Sequence, residues 1–324
     1  MESRREFIKK SALAGAGLPL MGTSLLNEPL KNAYEVSGKT GNIPIFAFSK
    51  HFQFLEDFGE LSDAMLEAGL DGIDLTVRPG GHVEPAEVED VLPRAVEAMK
   101  KQGLMAPMIV TKIDDPENPI TKRLLKTASQ EGVQYYRMAY YSYDDQLGIE
   151  KSIAKYKPLF KGLSELNEQY KIHGAYQNHS GDRVGSAVWD LRQLLDGLNP
   201  DWIGCQYDIR HGMAEGANSW PLGLRLLKPW VRCVDVKDYR WEKVNGQWKA
   251  LHVPLGEGMV DLTKFFGYLK EFGFEGPISL HIEYSMFDDK DKSLSLAQKR
   301  KIAVGYLKHD MDYLKEKLSE SGLG

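Results

Sequence analysis

Cysteine is scarce: Cys205 and Cys233 are the only two in 324 residues, too few for a disulfide framework. Both lie in neighbouring strand-like runs, so a bridge between them has to be weighed. Side chains alternate faces along a strand, and Cys205 has opposite parity to Asp208 whereas Cys233 shares parity with Asp235. If the two acids face one site, the sulfurs face different sides, which predicts two separate buried thiols. Long basic runs are also lacking, and the formal net charge is −5. Strong binding to nucleic-acid phosphates needs a clustered positive surface, so no nucleic-acid partner is expected. No Gly-x-Gly-x-x-Gly fingerprint follows the first apolar run, which counts against a dinucleotide-binding doubly wound sheet. Low-complexity segments are missing too, while 42% hydrophobic residues are enough for a sizeable core.

The N-terminal stretch Ser3-Arg4-Arg5-Glu6-Phe7-Ile8-Lys9-Lys10 precedes a mild apolar run from Ser11 to Met21. Paired arginines, an aromatic residue, lysines and a weak apolar segment, in that order, look like a twin-arginine export signal. The apolar run falls short of the roughly 20 residues that span a bilayer, and no cysteine follows it for a lipid anchor. The expectation is a leader and linker over residues 1–36, a periplasmic or otherwise exported protein without a stable membrane anchor, and one catalytic domain over residues 37–324.

From Asn42 one pattern recurs: a helical stretch ends near Gly or Pro, and a short apolar run follows. Eight such runs occur, at 42–48, 67–75, 103–110, 132–138, 172–177, 202–208, 231–237 and 277–283. Between them Phe54–Leu66, Val88–Met99, Ile149–Tyr170 and Leu262–Phe272 carry helical apolar spacing. A last amphipathic helix over about Leu296–Leu318 sets Leu296, Ala303, Leu307, Met311, Leu314 and Leu318 on one face. Eight strand–helix alternations predict a (β/α)8 TIM barrel.

In such a barrel the site lies at the C-terminal ends of the strands. That rule selects Asp74, Thr76, Arg78 and the loop to His82 from the second run, Lys112 from the third and Arg137 from the fourth. It selects Gln177 and His179 from the fifth, Asp208 and His211 from the sixth, Asp235 and Lys237 from the seventh, and His281 and Glu283 from the eighth. Asp208, Asp235 and Glu283 would then converge in a small volume. Like charges so placed repel unless a cation offsets them. Each acid alone could be a salt bridge with Arg137, Arg210 or Lys237; three together suggest a divalent ion, with oxygen ligands suiting Mn²⁺ or Mg²⁺ better than Zn²⁺. Trp220, Trp241 and Trp248 fall in later loops, where an indole packs or stacks on a sugar.

These residues resemble the xylose isomerase-like TIM barrel superfamily, the sugar phosphate isomerase/epimerase group. The carriers are Asp71-Gly72-Ile73-Asp74, Gln177-Asn178-His179, Asp208-Ile209-Arg210-His211, Val236-Lys237-Asp238, Pro254-Leu255-Gly256-Glu257-Gly258 and His281-Ile282-Glu283. The resemblance implies one divalent ion held by Gln177, Asp208, Asp235 and Glu283. Gln177 stands where the family has glutamate, and Asp235 where it has histidine. Gln177 cannot act as a base, so a symmetric two-glutamate mechanism does not carry over. Glu283 is left as the carboxylate base, Lys237 as an acid/base candidate with a plain ion pair as its alternative, and His211 as a substrate-contact histidine. Arg78, His82, Arg137, His179, His252 and Glu257 are the remaining substrate-binding candidates. The implied function is a metal-dependent isomerase or epimerase of a sugar or keto-sugar derivative working through an enediolate. Alternatives are a metal-assisted lyase or dehydratase and a non-catalytic carbohydrate-binding barrel; a DNA endonuclease would need a richer metal cluster and a basic face. Barrels of this group often pair, so a homodimer fits the resemblance.

Overall fold

β-Branched and aromatic residues favour a pleated, buried strand, and all eight apolar runs take that form. The computed structural model describes residues 43–287 and 293–324. The expected leader over residues 1–36 lies outside the described residues. The barrel strands are β1 (Ile45–Phe48), β2 (Gly72–Thr76), β3 (Met105–Val110), β4 (Tyr135–Arg137), β5 (His173–Gln177), β6 (Ile203–Asp208), β7 (Val231–Val236) and β10 (Ile278–Leu280). They close in the order β1-β10-β7-β6-β5-β4-β3-β2, with every neighbouring pair parallel. The expected (β/α)8 barrel is the observed one.

Among the described residues the α-helices are α1 (Phe58–Glu67), α2 (Val88–Lys101), α3 (Pro119–Gln130), α4 (Ile149–Tyr170), α5 (Val188–Leu195), α6 (Ile209–Gly216), α7 (Trp220–Leu227), α8 (Leu262–Phe272) and α9 (Leu296–Ser321). Side chains start several of them. Asp57, Asn118 and Asp261 accept backbone N–H groups at the starts of α1, α3 and α8, and Ser295 with Gln298 forms a capping box on α9. α9 buries Ala303, Leu307, Met311, Leu314 and Leu318 as its spacing predicts, while Leu296 in the first turn is exposed.

Strand alternation sorts the barrel interior into layers. At the foot, Phe46, Met108, Ala175 and Cys233 from β1, β3, β5 and β7 pack together. Two residues further along, three of these strands place Phe48, Gln177 and Asp235, and β7 continues inward to Lys237. Cys205 instead packs in the large cluster outside the barrel, and both cysteines are free and buried. The parity argument for two separate thiols therefore holds.

One element was not anticipated. After β7 the chain makes an antiparallel hairpin, β8 (Asp238–Val244) and β9 (Gln247–Val253). Its turn is Asn245-Gly246, both with positive φ (51° and 84°), the pair that a two-residue hairpin turn demands. The hairpin matters because its returning strand brings His252 back to the barrel mouth.

Candidate active site

Asp208 and Asp235 are direct register partners at the ends of β6 and β7. Both are fully buried, and each of their oxygens meets a donor from the chain. Asp208 caps α6, its Oδ1 accepting from the His211 backbone N–H at 3.1 Å. Its Oδ2 accepts from Gln177 Nε2 at 2.7 Å and pairs with Lys237 Nζ at 2.9 Å. Asp235 accepts from Gln177 Nε2 at 2.5 Å and from Gln206 Nε2 at 2.6 Å, and lies 3.3 Å from His281 Nε2. Asn178 staples the two strand ends beside them, donating to the Asp208 carbonyl at 3.1 Å and accepting from its N–H at 2.7 Å.

Lys237 is 2% exposed and also reaches Glu283 Oε1 at 3.3 Å. Glu283 is the most open member of the group, its side chain 18% exposed, with His252 Nε2 at 3.4 Å and His281 Nδ1 at 3.6 Å. Burial alone would lower the Lys237 pKa, but Asp208, Glu283 and Asp235 outweigh it and raise the ammonium above its ordinary value. His281 behaves likewise: burial lowers its pKa, and Asp235 more than restores it. Burial pushes Glu283 up, yet Lys237 and His281 hold it well below the usual carboxylate range. Asp235 is also held low, burial being outweighed by His281 and Arg137. Asp208 stays above its ordinary value because burial and Asp235 oppose the pull of Lys237. Asp208, Asp235 and Glu283 therefore have Lys237 and His281 within 3.6 Å, with Arg137 acting on Asp235 from further away.

Gln177 links this group to the opposite side. Its Oε1 accepts from Arg137 Nη1 at 3.2 Å and from the Tyr140 hydroxyl. Donors on the oxygen and carboxylates on the nitrogen fix the amide orientation, so its nitrogen faces Asp208 and Asp235.

The other sequence candidates divide. His211 is buried, with Nδ1 accepting from Arg210 at 2.9 Å and facing Ser180 Oγ at 2.7 Å; its Nε2 points to Asp208 at 3.6 Å. His179 stacks on it with ring centroids 4.0 Å apart. Burial lowers both, His179 and His252 to about 4, so these two imidazoles are neutral near pH 7. Arg78 and Arg137 flank the Phe48 ring at 5.7 and 5.1 Å. His82 is taken up elsewhere, its Nδ1 held at 3.1 Å by Thr76 Oγ1 and Ser49 Oγ. Glu257 is exposed and lines a cavity of about 340 Å³ with Pro254, Ile302, Tyr306 and His309, away from the strand ends. The Pro254–Gly258 loop is a structural latch: Asp238 accepts from the N–H groups of Gly256, Gly258 and Val260 at 3.0 Å each. A Cβ on Gly258 would sit 2.1 Å from Asp238 Oδ1, so only glycine allows that approach. Trp220 is buried against Phe265 and Tyr268, whereas Trp241 and Trp248 are exposed on the hairpin.

Sequence reasoning passed over Gln206, Tyr140 and Arg183, and gave His281 and Asp74 no role. Asp74 is buried, accepts from Ser279 Oγ at 2.7 Å, and is pushed up to about 6 by burial and Asp235. Asp74, Asp235 and His281 each bring one donor atom within 4.8 Å of the others. Among the described residues Asp74 Oδ1 and both His281 nitrogens are buried without a hydrogen-bond partner.

Residues 62–317 match the family described as Xylose isomerase-like TIM barrel. No curated protein matches the chain in sequence. Among solved structures, a D-allulose 3-epimerase from Methylomonas sp. is similar at 16% identity, covering 86% of this chain and 98% of that one, with a TM-score of 0.61. A Xylose isomerase-like TIM barrel protein from Mycobacterium smegmatis, in complex with magnesium, gives 15%, 86%, 97% and 0.61. A probable 3-DHS dehydratase from Bacillus anthracis gives 15%, 84%, 99% and 0.60. At these identities the likeness speaks for the barrel. The matched span and the closed eight-stranded barrel make this chain a member of the xylose isomerase-like TIM barrel family.

Proposed function

We propose that the protein is an isomerase or epimerase that moves a proton next to the ketone of a keto-sugar derivative, by way of an enediol or enediolate. The observation that carries this reading is the Asp208–Lys237–Glu283 chain, buried at one end and open at the other, at the strand ends where barrel enzymes work. Glu283 is the base. A substrate oxygen that takes over the Lys237 hydrogen bond separates Glu283 from its nearest cation and so raises its basicity. Glu283 then removes the proton from carbon, the electron pair moves to the ketone oxygen, and the Lys237 ammonium stabilises the charge that develops there. Neutral His179 is the candidate second base, and in the forward direction it passes on a proton taken from solvent. Return of that proton to the same carbon from the other face epimerises; return of the proton held by Glu283 to the neighbouring carbon, with loss of the adjacent hydroxyl proton, isomerises.

The family reading adds one divalent ion, Mn²⁺ or Mg²⁺. Gln177, Asp208, Asp235 and Glu283 as placed do not fit one, because an amide nitrogen and the Lys237 ammonium already satisfy the carboxylates facing the centre. Asp74, Asp235 and His281 fit better, since one donor atom of each lies within 4.8 Å of the others and, among the described residues, Asp74 Oδ1 and the His281 nitrogens have no hydrogen-bond partner; His281 would have to be neutral to take part. An ion held by these residues would supply positive charge to the developing enediolate.

The test is solvent-deuterium incorporation into neutral and acidic keto-hexoses, followed by NMR. Label at the carbon beside the ketone, with inversion or isomerisation and without loss of water, is the expected outcome. Formation of an unsaturated ketone would assign the protein to the lyase reading, and no exchange with any keto-sugar would refute proton transfer.

A further inference from the structure

The β1–β5 side of the mouth holds a group of cations for which the proton-transfer chemistry has no use. Arg78, after β2, and Arg137, at the end of β4, flank the Phe48 ring at 5.7 and 5.1 Å; Arg137 and Arg183 flank the Tyr140 ring at 5.6 and 4.3 Å. Two aromatic rings thus line up three guanidinium groups. The arrangement is built rather than floppy. Arg183 sits in a bridge with Ser142, and the adjoining Val184 N–H donates to the Tyr141 carbonyl at 3.0 Å while its carbonyl accepts from Tyr176 OH at 2.8 Å. On the other side Val77 is tied to Val110 by a 2.9 Å hydrogen bond and Gly81 N–H closes a turn onto the Arg78 carbonyl at 2.8 Å.

These cations are short of partners. Among the described residues no carboxylate lies within ion-pair distance of Arg78, Arg137 or Arg183, and Arg137, 6% exposed, donates only to the neutral Gln177 amide and keeps a buried Nε without a partner. Lys112 adds a fourth charge: after burial, repulsion from Arg78, Arg137 and Arg183 is what lowers its pKa. Stacking satisfies the flat face of a guanidinium and leaves its N–H edge free, and that edge matches the paired oxygens of a carboxylate or phosphate. Asp235, Asp74 and Glu283 act on Arg137 only from a distance, and like-charged side chains gathered at a mouth without an ion-pair partner among the described residues cost free energy unless an anion is bound there.

We infer that Arg78, Arg137 and Arg183 form an oxyanion subsite, and that the substrate is an acidic sugar carrying a carboxylate or phosphate rather than a neutral one. This rests on the proton-transfer reading for the word substrate, but the subsite can be tested without turnover. Calorimetric titration of the full-length protein with D-glucuronate, D-glucose 6-phosphate and D-glucose separates the sources of the oxyanion. At least one charged sugar is expected to bind roughly tenfold or more tighter than glucose at low salt, and the preference should shrink as salt is added. Arg183→Gln and Arg78→Gln should each weaken binding of that sugar about tenfold and leave glucose binding unchanged; two variants guard against one failing to fold. Equal binding of charged and neutral sugars, or a preference that survives in both variants, would overturn the subsite. Charged-sugar binding without any deuterium exchange would leave the subsite standing and sink only the proton-transfer reading.

Discussion

The two sides of the barrel mouth solve the problem of buried charge in opposite ways. On the β6–β7–β10 side, Asp208, Asp235 and Glu283 face Lys237 and His281 at 2.9–3.6 Å. Each acid there has a cationic partner of the chain within ion-pair distance. On the β1–β5 side, Arg78, Lys112, Arg137 and Arg183 gather around Phe48 and Tyr140 with the balance left open. Gln177 stands between them, its oxygen toward the cations and its nitrogen toward the acids. A paired cluster is suited to moving a proton, because small displacements of substrate oxygens change which partner holds it. An unpaired cluster is suited to capturing a charge from outside.

The largest expected effect comes from removing the base. Glu283→Gln should lower the rate of deuterium exchange about 10²- to 10⁴-fold while leaving binding of an acidic sugar within a few-fold of wild type. Parallel loss of both would break the division between the sides. Next, Lys237→Met strands a buried carboxylate, which should cost about 3–5 kcal/mol in urea unfolding at neutral pH. Adding Asp208→Asn should recover much of that loss, and a double variant no more stable than the single one would contradict the pairing. The same Lys237→Met change should strengthen Mn²⁺ binding about tenfold or more, because three carboxylates lose their ammonium. Unchanged affinity in a calorimetric titration would show that Lys237 does not stand in the way of an ion there.

A smaller effect sharpens the comparison by isolating the barrel foot. His173 lies at the start of β5, bonded to the Asp201 carbonyl at 3.0 Å, and burial lowers its pKa to about 4 from 6.5. A folded pKa below the unfolded value means the protein favours the neutral ring. That contribution is complete above the unfolded pKa and is lost as pH falls toward 4. Stability should therefore drop by roughly 1–2 kcal/mol from this group between pH 6.5 and 5. His173→Gln should flatten that part of the urea-midpoint profile, and an unchanged slope would assign it to the histidines of the mouth. Smallest is Ser279→Ala, which removes the 2.7 Å bond to Asp74. It should cost about 1 kcal/mol and raise the Asp74 pKa further, a shift readable by carboxyl NMR titration.

The barrel was legible because each strand announces itself twice, by a turn glycine or proline and by a short apolar run. α4 and α8 were legible to the residue, since 3.6-residue periodicity sets their faces and Gly148, Lys171, Asp261 and Gly273 bound them. The β8–β9 hairpin was also written in the chain, as Asn245-Gly246, but only Lys237 separates β8 from β7, so no turn signal marks where the hairpin begins. At the site, the strand-end rule named Asp208, Asp235, Lys237 and Glu283, and the structure holds these four side by side. Parity is silent on which donor meets which acceptor, because long side chains such as Lys237 and Gln177 choose partners across strands. The carboxylates called for a cation, and sequence alone could not show that Lys237 and His281 reach far enough to serve. Arg183 was invisible for a different reason: its place depends on a bridge to Ser142, 41 positions earlier in a separate loop.

The division of labour is tested most directly by the concentration dependence of deuterium exchange into 5-keto-D-gluconate, an acidic keto-sugar, in Glu283→Gln and Arg183→Gln side by side. Glu283→Gln is predicted to lose kcat with KM nearly unchanged, and Arg183→Gln to raise KM about tenfold with kcat kept within a few-fold. If both variants moved the same constant, the mouth would be one undivided site and the account given for its two sides would be wrong.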